Sequence, residues 1–338
     1  MEFIWTTGIA MIAWLQGLGG WLEAPMKFFT YLGSEDFFMV ALPFVYWCVD
    51  AGSGVRIGAI LLFTGGVNDI LKLSFHGPRP YWISTQIKSL AVETSFGIPS
   101  GHAQIATGLW GMAAAQTRRK WAWLVAILLI FMIGISRLYL AVHFPHDVLL
   151  GWAIGVLVLW AFMRWWEPVA AWANEKSLGQ QIGLAFTLSI VMLVSGLLAF
   201  GSLRGWILPA EWVETAMRAW PDIKPDPITL EGTITPAATL FGMLAGLAWS
   251  NSRGGFNASG SLWKRLARLL PGLVGILIIN LGLKYVFASF SEGNILLSYF
   301  LRYVRYAFVG FWVSGGGPWI FEKLKLTQNN KAMSHDGV

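Results

Sequence analysis

The fold class this chain predicts is all-α, a polytopic bundle of transmembrane helices, and two observations predict it. Of the 338 residues, 56% are hydrophobic and only 12% charged, against roughly 25% charge in a typical soluble protein. Mostly apolar windows of about 20 residues, the length needed to cross a hydrocarbon core of about 30 Å, recur along nearly the whole chain. No stretch remains for a large soluble domain.

The elements follow in order. Residues 1–36 are expected to form an N-terminal interfacial or partly inserted segment, because 1–31 are apolar but broken by Gly17, Gly19, Gly20, Glu23 and Pro25. Spans are then expected at about 37–49, 55–75, 101–116, 121–140, 147–166, 182–203, 233–250, 267–287 and 299–320, nine in all. Two long structured loops separate them, 76–99 and 204–232, the second carrying Pro209, Pro221, Pro225 and Pro227 among mixed charges. That second loop is a seam between a motif-rich core, 37–166, and additional helices over 167–327 that carry few motifs. There is no internal repeat, and the polar tail 328–338 is expected to be disordered.

The net charge of +6 comes from basic residues scattered among short loops rather than massed on one face. This distribution suits loops on an anionic membrane and gives no nucleic-acid surface. A single cysteine, Cys48, permits no internal disulfide and says nothing about redox compartment. The N-terminus lacks the basic region of a cleaved signal peptide, so the first residues are expected to stay in the mature chain. The C-terminal MSHDGV is not a retention signal, which makes a bacterial plasma membrane the default location.

Three polar clusters interrupt the apolar pattern. KLSFHGPRP, residues 72–80, places Lys72 and Arg79 at a membrane boundary. Such side chains commonly snorkel to headgroups, but an arginine fork and a lysine point charge also make a clamp for phosphate oxygens. IPSGH, residues 98–102, is a tight turn into an apolar run, with Ser100 as a candidate N-cap. The turn's backbone N–H groups, Gly101 included, can face an anion. The same helix start disfavours a charged His102 unless an anion is near.

SRLYLAVHFPHD, residues 136–147, is the third cluster. His143 and Asp147 are four apart, and if 143 begins a helical turn they share a face, so that Asp147 can accept a proton from one ring nitrogen and leave the other free as a nucleophile. Pro145 complicates a regular helix there. Arg137 falls at the end of the preceding span, near the same point in space.

Span counting places all three clusters on one membrane face. More of the Lys and Arg residues fall on the opposite face, among them Arg118, Arg119, Lys120, Arg253, Lys264, Arg265 and Arg268. The positive-inside rule therefore expects the clusters to face away from the cytoplasm.

K-x6-RP, PSGH and SR-x5-H-x3-D, in this order on neighbouring helices, resemble the three-part signature of the type-2 phosphatidic acid phosphatase superfamily, which includes lipid phosphate phosphatases, glucose-6-phosphatases and vanadium haloperoxidases. The resemblance covers roughly 37–166 and fills every signature position. It implies that His143 attacks phosphorus to form a phosphohistidine, that Asp147 orients it, and that His102 protonates the leaving oxygen and then activates water. Lys72, Arg79, Ser100, Gly101 and Arg137 would hold the phosphate oxygens. The scheme requires no metal and no cofactor, and no other group of carboxylates and histidines has metal-ligand spacing. His146 and His76 sit where the signature leaves residues free, and they are assigned to roles around the site or at the membrane interface.

RPYW at 79–82 and the 136–147 segment look more like glucose-6-phosphatases, whereas the second half, including GTITPAATLFGMLAGLAW, looks more like longer microbial and sphingoid-phosphate branches. A site at the membrane face admits an amphiphile sideways, which favours a lipid ester: a polyprenyl phosphate or diphosphate, phosphatidic acid, phosphatidylglycerol phosphate or a sphingoid phosphate. A glucose-6-phosphatase-like hydrolase of a soluble sugar phosphate is the alternative. In a different class, a transporter or flippase would bind phosphate without cleaving it, and would need no oriented nucleophile. Arg302, Arg305 and Glu292, in the second half, read as interfacial anchors or an internal ion pair.

Overall fold

The computed structural model describes residues 2–327, and among them every regular element is helical. The tail 328–338 lies outside the described residues. In chain order the helices are α1 (Glu2–Gly17), α2 (Glu23–Tyr31), α3 (Glu35–Phe44), α4 (Ala51–Phe75), α5 (Pro80–Ile83), α6 (Gly101–Thr117), α7 (Lys120–Tyr139), α8 (Pro145–Asn174), α9 (Leu178–Ser202), α10 (Ala210–Ala219), α11 (Glu231–Asn251), α12 (Leu262–Ala267), α13 (Leu269–Leu277), α14 (Leu283–Ser291), α15 (Ile295–Phe311) and α16 (Gly317–Lys323). Short π-helical turns at Val45–Val49, Ile278–Gly282 and Trp312–Gly316 join consecutive helices.

Six stretches among the described residues are long and apolar enough to cross a membrane: Ala51–Ile83, Lys120–Tyr139, Pro145–Asn174, Leu178–Ser202, Glu231–Asn251 and Leu262–Ser291. A seventh arises if the bent pair Gly20–Tyr31 and Glu35–Val49 is one span. The expected spans at 101–116 and 299–320 are helical but do not meet the same measure. One is α6, only 17 residues long and lined by buried Gln104 and Thr107; the other is α15, whose apolar run is interrupted by Arg302 and Arg305. A helix enclosed by protein has less need of a lipid-like surface.

Two compact units make up the chain. The first takes the described residues of Met1–Phe38, Thr64–Trp165 and Val194–Thr233. Within it, glycines bring α8 against α6. A methyl group on Gly151 would stand 2.6 Å from the Ser100 carbonyl oxygen, and one on Gly155 would stand 2.6 Å from Cβ of Thr107. Small residues four apart let transmembrane backbones approach in this way. The outer side of α8 is apolar and exposed, with Leu149, Leu157 and Trp160 suited to lipid.

The second unit takes the described residues of Met39–Phe63, Trp166–Leu193 and Ile234–Val338. Its core gathers Tyr46, Trp47, Cys48, Val55, Ile276 and Phe321. Gly242 and Gly310 let α11 and α15 touch backbone to backbone, since a methyl on Gly310 would meet the Thr239 carbonyl oxygen at 2.2 Å. Arg268 is fully buried and donates to the carbonyls of Trp47 (2.7 Å), Ala258 (2.6 Å) and Leu326 (3.0 Å), which makes it a structural pin.

Gly155→Leu is expected to destabilise the protein by about 1–3 kcal/mol through overpacking against Thr107. Gly179→Leu, where nothing lies within 4 Å of the added carbon, is the control. Thermal unfolding in detergent should show a lower Tm for the first variant and no change for the second.

Candidate active site

The site begins where α7 ends. Ala141 takes a left-handed backbone (φ 60°), a conformation unfavourable for a residue with a side chain and one that typically closes a helix. The chain then curls back, and the N–H groups of Val142 and His143 both donate to the Arg137 carbonyl, at 3.2 and 3.3 Å. The sequence interval from Arg137 to His143 is thus one compact wrap. Next comes α8, with Pro145 in its first turn, where a missing N–H costs nothing. His143 therefore precedes the helix instead of sharing a helical face with Asp147, which corrects the geometry expected from the four-residue spacing.

Asp147 is held by the same turn. Its Oδ2 accepts the Phe144 N–H at 2.8 Å, as an acidic residue in the first helical turn reaches back to cap it. His143 Nδ1 lies 3.4 Å from that Oδ2 without making a hydrogen bond, and His146 Nε2 lies 3.2 Å from Oδ1. The carboxylate sits between two imidazoles, where the sequence pointed to one.

Arg79 is fully buried, and its guanidinium joins two other segments to its own. Nε donates to the Ser95 carbonyl (2.7 Å), one Nη to the Val142 carbonyl (2.8 Å), and the other to the Ser95 hydroxyl (3.0 Å) and the Phe96 carbonyl (3.1 Å). The remaining donor lies 3.3 Å from His143 Nε2. Arginine can only donate, so Nε2 is the acceptor and the ring proton belongs on Nδ1, facing Asp147. Burial, reinforced by Arg79, Arg137 and Lys72, holds the His143 imidazole well below its ordinary range and keeps it neutral.

Lys72 reaches the same serine, with Nζ 2.9 Å from the Ser95 hydroxyl. Arg137, nearly fully buried, pairs through one Nη with Glu93 and through the other with the Thr30 hydroxyl of α2, while its Nε is buried without a partner. Glu93 also lies 3.9 Å from Arg79. Burial raises the Glu93 acid, but Arg137 and Arg79 outweigh it and hold the carboxyl well below the usual carboxylate range.

The turn before α6 completes the group. Ser100 is fully buried; its hydroxyl caps the helix by accepting the Ala103 N–H at 3.5 Å, and its own N–H donates to the Asp147 carbonyl at 2.9 Å. At Gly101 any Cβ would stand 2.8 Å from Asn68 Oδ1. Asn68 in turn donates to Gln104 Oε1 at 2.8 Å and ties α4 to α6. His102 packs against the turn that follows α2, with its Cδ2 3.3 Å from where a Gly33 methyl would lie, and it is within electrostatic range of Glu93.

Lys72, Arg79, Ser100, Gly101, His102, Arg137, His143 and Asp147 are therefore gathered in one unit. Glu93, Ser95 and Thr30 were not legible as part of this group. A lone carboxylate six residues before PSGH was the one available signal. His146 stacks on Phe144, and His76 lies against Phe96 and Trp206. The loop around Glu93 is strapped down by the Trp220 indole, which donates to the Ser89 hydroxyl at 2.9 Å, and by the Asp226 N–H, which donates to the Thr94 carbonyl at 3.2 Å. Gln16 at the end of α1 adds donations to the Lys88 and Tyr139 carbonyls, both at 2.8 Å.

With the geometry in place, two family models match the chain: the PAP2 superfamily over residues 53–170, and the transmembrane extension of PAP2 superfamily phosphatases over 234–330. The chain is similar to glucose-6-phosphatase 3 of Bos taurus, 27% identical over 63% of this chain and 68% of that protein. It is similar to phosphatidylglycerophosphatase B of Bacillus subtilis (strain 168), 30% identical over 41% of this chain and 72% of that protein. A probable sphingosine-1-phosphate phosphatase of Dictyostelium discoideum is 32% identical over 40% of this chain and 36% of that protein. No solved structure matches. The chain belongs to the PAP2 superfamily and is an integral membrane phosphatase.

The perturbed groups fix the sign of a pH effect. An unfolded chain takes up a proton on His143 at roughly pH 6.5, whereas the folded chain resists it, so stability is lost as pH falls through and below that value. Glu93 acts in the same direction further down, below roughly pH 4.3, the unfolded carboxylate value. The Tm of the wild type is expected to drop between about pH 7.5 and about pH 5, and His143→Gln to lessen the drop. An equal drop in both proteins would mean that His143 is not held neutral.

Proposed function

We propose that this phosphatase hydrolyses a phosphate monoester or diphosphate of a membrane lipid, through a phosphohistidine on His143. The observation that carries the reading is the placing of that imidazole: buried, with Nε2 3.3 Å from an Arg79 nitrogen and Nδ1 3.4 Å from the Asp147 carboxylate. In the reaction, an incoming phosphate oxygen takes over the Arg79 N–H that Nε2 accepts in the free site, and this releases the lone pair for attack. Nε2 bonds to phosphorus as the ester P–O bond breaks, and His102, protonated when the anionic substrate binds beside it, gives that proton to the departing oxygen. His102 then takes a proton from water, whose oxygen displaces Nε2 and frees phosphate. Arg79, Arg137 and Lys72 neutralise charge on the equatorial oxygens throughout, and the scheme uses no metal.

A lipid substrate is supported by a site built on bundle helices rather than in a soluble domain and by relatives whose names specify phosphatidylglycerophosphate and sphingosine 1-phosphate. Glucose 6-phosphate is the second reading, because the glucose-6-phosphatase 3 likeness extends over more of the chain. We further propose nine crossings, counting α3, α6 and α15–α16 as spans. On that count residues 76–100 and 141–146 share a face, which the distribution of Lys and Arg assigns to the side away from the cytoplasm of a bacterial plasma membrane.

The test is phosphate release by purified protein across polyprenyl diphosphate, phosphatidic acid, phosphatidylglycerol phosphate, sphingosine phosphate and glucose 6-phosphate. Release confined to lipids is expected, and preference for the sugar ester would promote the second reading. His143→Ala should lower turnover by about three orders of magnitude or more, while His146→Ala keeps most of it; comparable losses would sink the nucleophile assignment. Vanadate should inhibit and chelators should not, whereas loss in chelator restored by a divalent ion would contradict the metal-free scheme. A cysteine introduced in 76–99 should react with an impermeant reagent in intact cells; reaction only after permeabilisation would reverse the topology.

A further inference from the structure

Within the cationic cluster one carboxylate has no place in the reaction just described. Glu93 meets Arg137 directly, lies 3.9 Å from Arg79, and has Lys72 and His102 within electrostatic range. It stands where the positive charge of the site converges. The arginines cannot leave: Arg79 is 0% and Arg137 2% exposed, and both are tied to neighbouring segments. The Glu93 side chain is 28% exposed. Its carboxylate is held by Arg137, while its backbone is fixed by Tyr81, whose hydroxyl donates to the Glu93 carbonyl at 2.7 Å and accepts the Glu93 N–H at 3.1 Å. The anchor is rigid and the carboxylate has an open side.

We infer that Glu93 is a built-in counter-anion of the phosphate site, paired with Arg137 in the empty enzyme and displaced toward its open side by the incoming phosphate. The inference rests on the phosphatase reading and adds a rule for how that site fills and empties. Two buried arginines and a partly buried lysine without an anion would be costly in a membrane protein, and Glu93 offsets that cost between turnovers. A phosphate dianion, with more charge and several acceptor oxygens, outcompetes one carboxylate for the Arg137 fork. After hydrolysis Glu93 returns to Arg137 and helps expel free phosphate. Ordinary acid does not relieve the competition, because the arginines keep this carboxylate ionised.

The test compares wild type and Glu93→Gln in detergent, reading the inhibition constants of vanadate and of inorganic phosphate, and KM and kcat separately. Removing the competing charge should tighten both inhibitors by about tenfold or more, with a lower KM and a kcat that falls as phosphate release slows. If the glutamine variant does not fold, Glu93→Asp, which shortens the reach to Arg137, is read in the same way and should also bind vanadate more tightly than wild type. Unchanged or weaker inhibition in the variant, with a wild type that hydrolyses and binds vanadate, overturns this inference alone and makes Glu93 a fixed support for Arg137. A wild type that neither releases phosphate nor binds vanadate overturns the phosphatase reading and the inference with it.

Discussion

A fully buried guanidinium is the constraint on which the rest of this site depends. Arg79 has five N–H groups to satisfy away from water, and an unmet one would be costly in an apolar surround. Its partners come from residues 95–96 in one loop and 142–143 in the turn after α7. Two segments distant in sequence are thereby brought to one point by a single planar group. The same contact favours the His143 tautomer with Nε2 unprotonated, so the demand for satisfied hydrogen bonds and the demand for an unprotonated ring nitrogen are met by one interaction.

The surrounding helices serve that arrangement through small residues and caps. Gly151 lets α8 approach the Ser100 carbonyl, so the turn containing PSGH and the turn containing His143 are neighbours by backbone contact. Asp147 acts twice, capping α8 through the Phe144 N–H and facing both His143 and His146. Ser100 likewise caps α6 while sitting in the site. The features that end and start helices here are the features that carry the charged groups and His143, which is how a membrane bundle keeps irregular backbone and polar groups where protein rather than lipid surrounds them.

Much of this was legible in the sequence. An apolar chain with three polar clusters on neighbouring helices indicated an all-helical membrane protein and the residues gathered in its site. The span count was less legible, because α6 is lined by Gln104 and Thr107 and α15 by Arg302 and Arg305, so neither has the composition of a lipid-facing helix. Asp147 faces one ring nitrogen of His143 as the spacing suggested, but not along a helical face, since Pro145 starts the helix after the histidine. Glu93, Ser95 and Thr30 were missed for another reason: a loop carboxylate, a loop serine and a threonine on α2 have no periodicity or spacing that points to Arg79 or Arg137. Only the folded chain brings them together.

The account stands or falls on His143 Nε2 as the atom that takes the phosphoryl group. Rapid acid-free quenching of the enzyme with labelled substrate, followed by peptide mapping, measures this directly. The account predicts a transient label on the His143 peptide, stable in base and labile in acid as a phosphoramidate is, that disappears on the timescale of turnover. A label on another residue, or turnover with no labelled enzyme on a timescale that would resolve it, would contradict the account and leave Arg79 as the organiser of a different reaction.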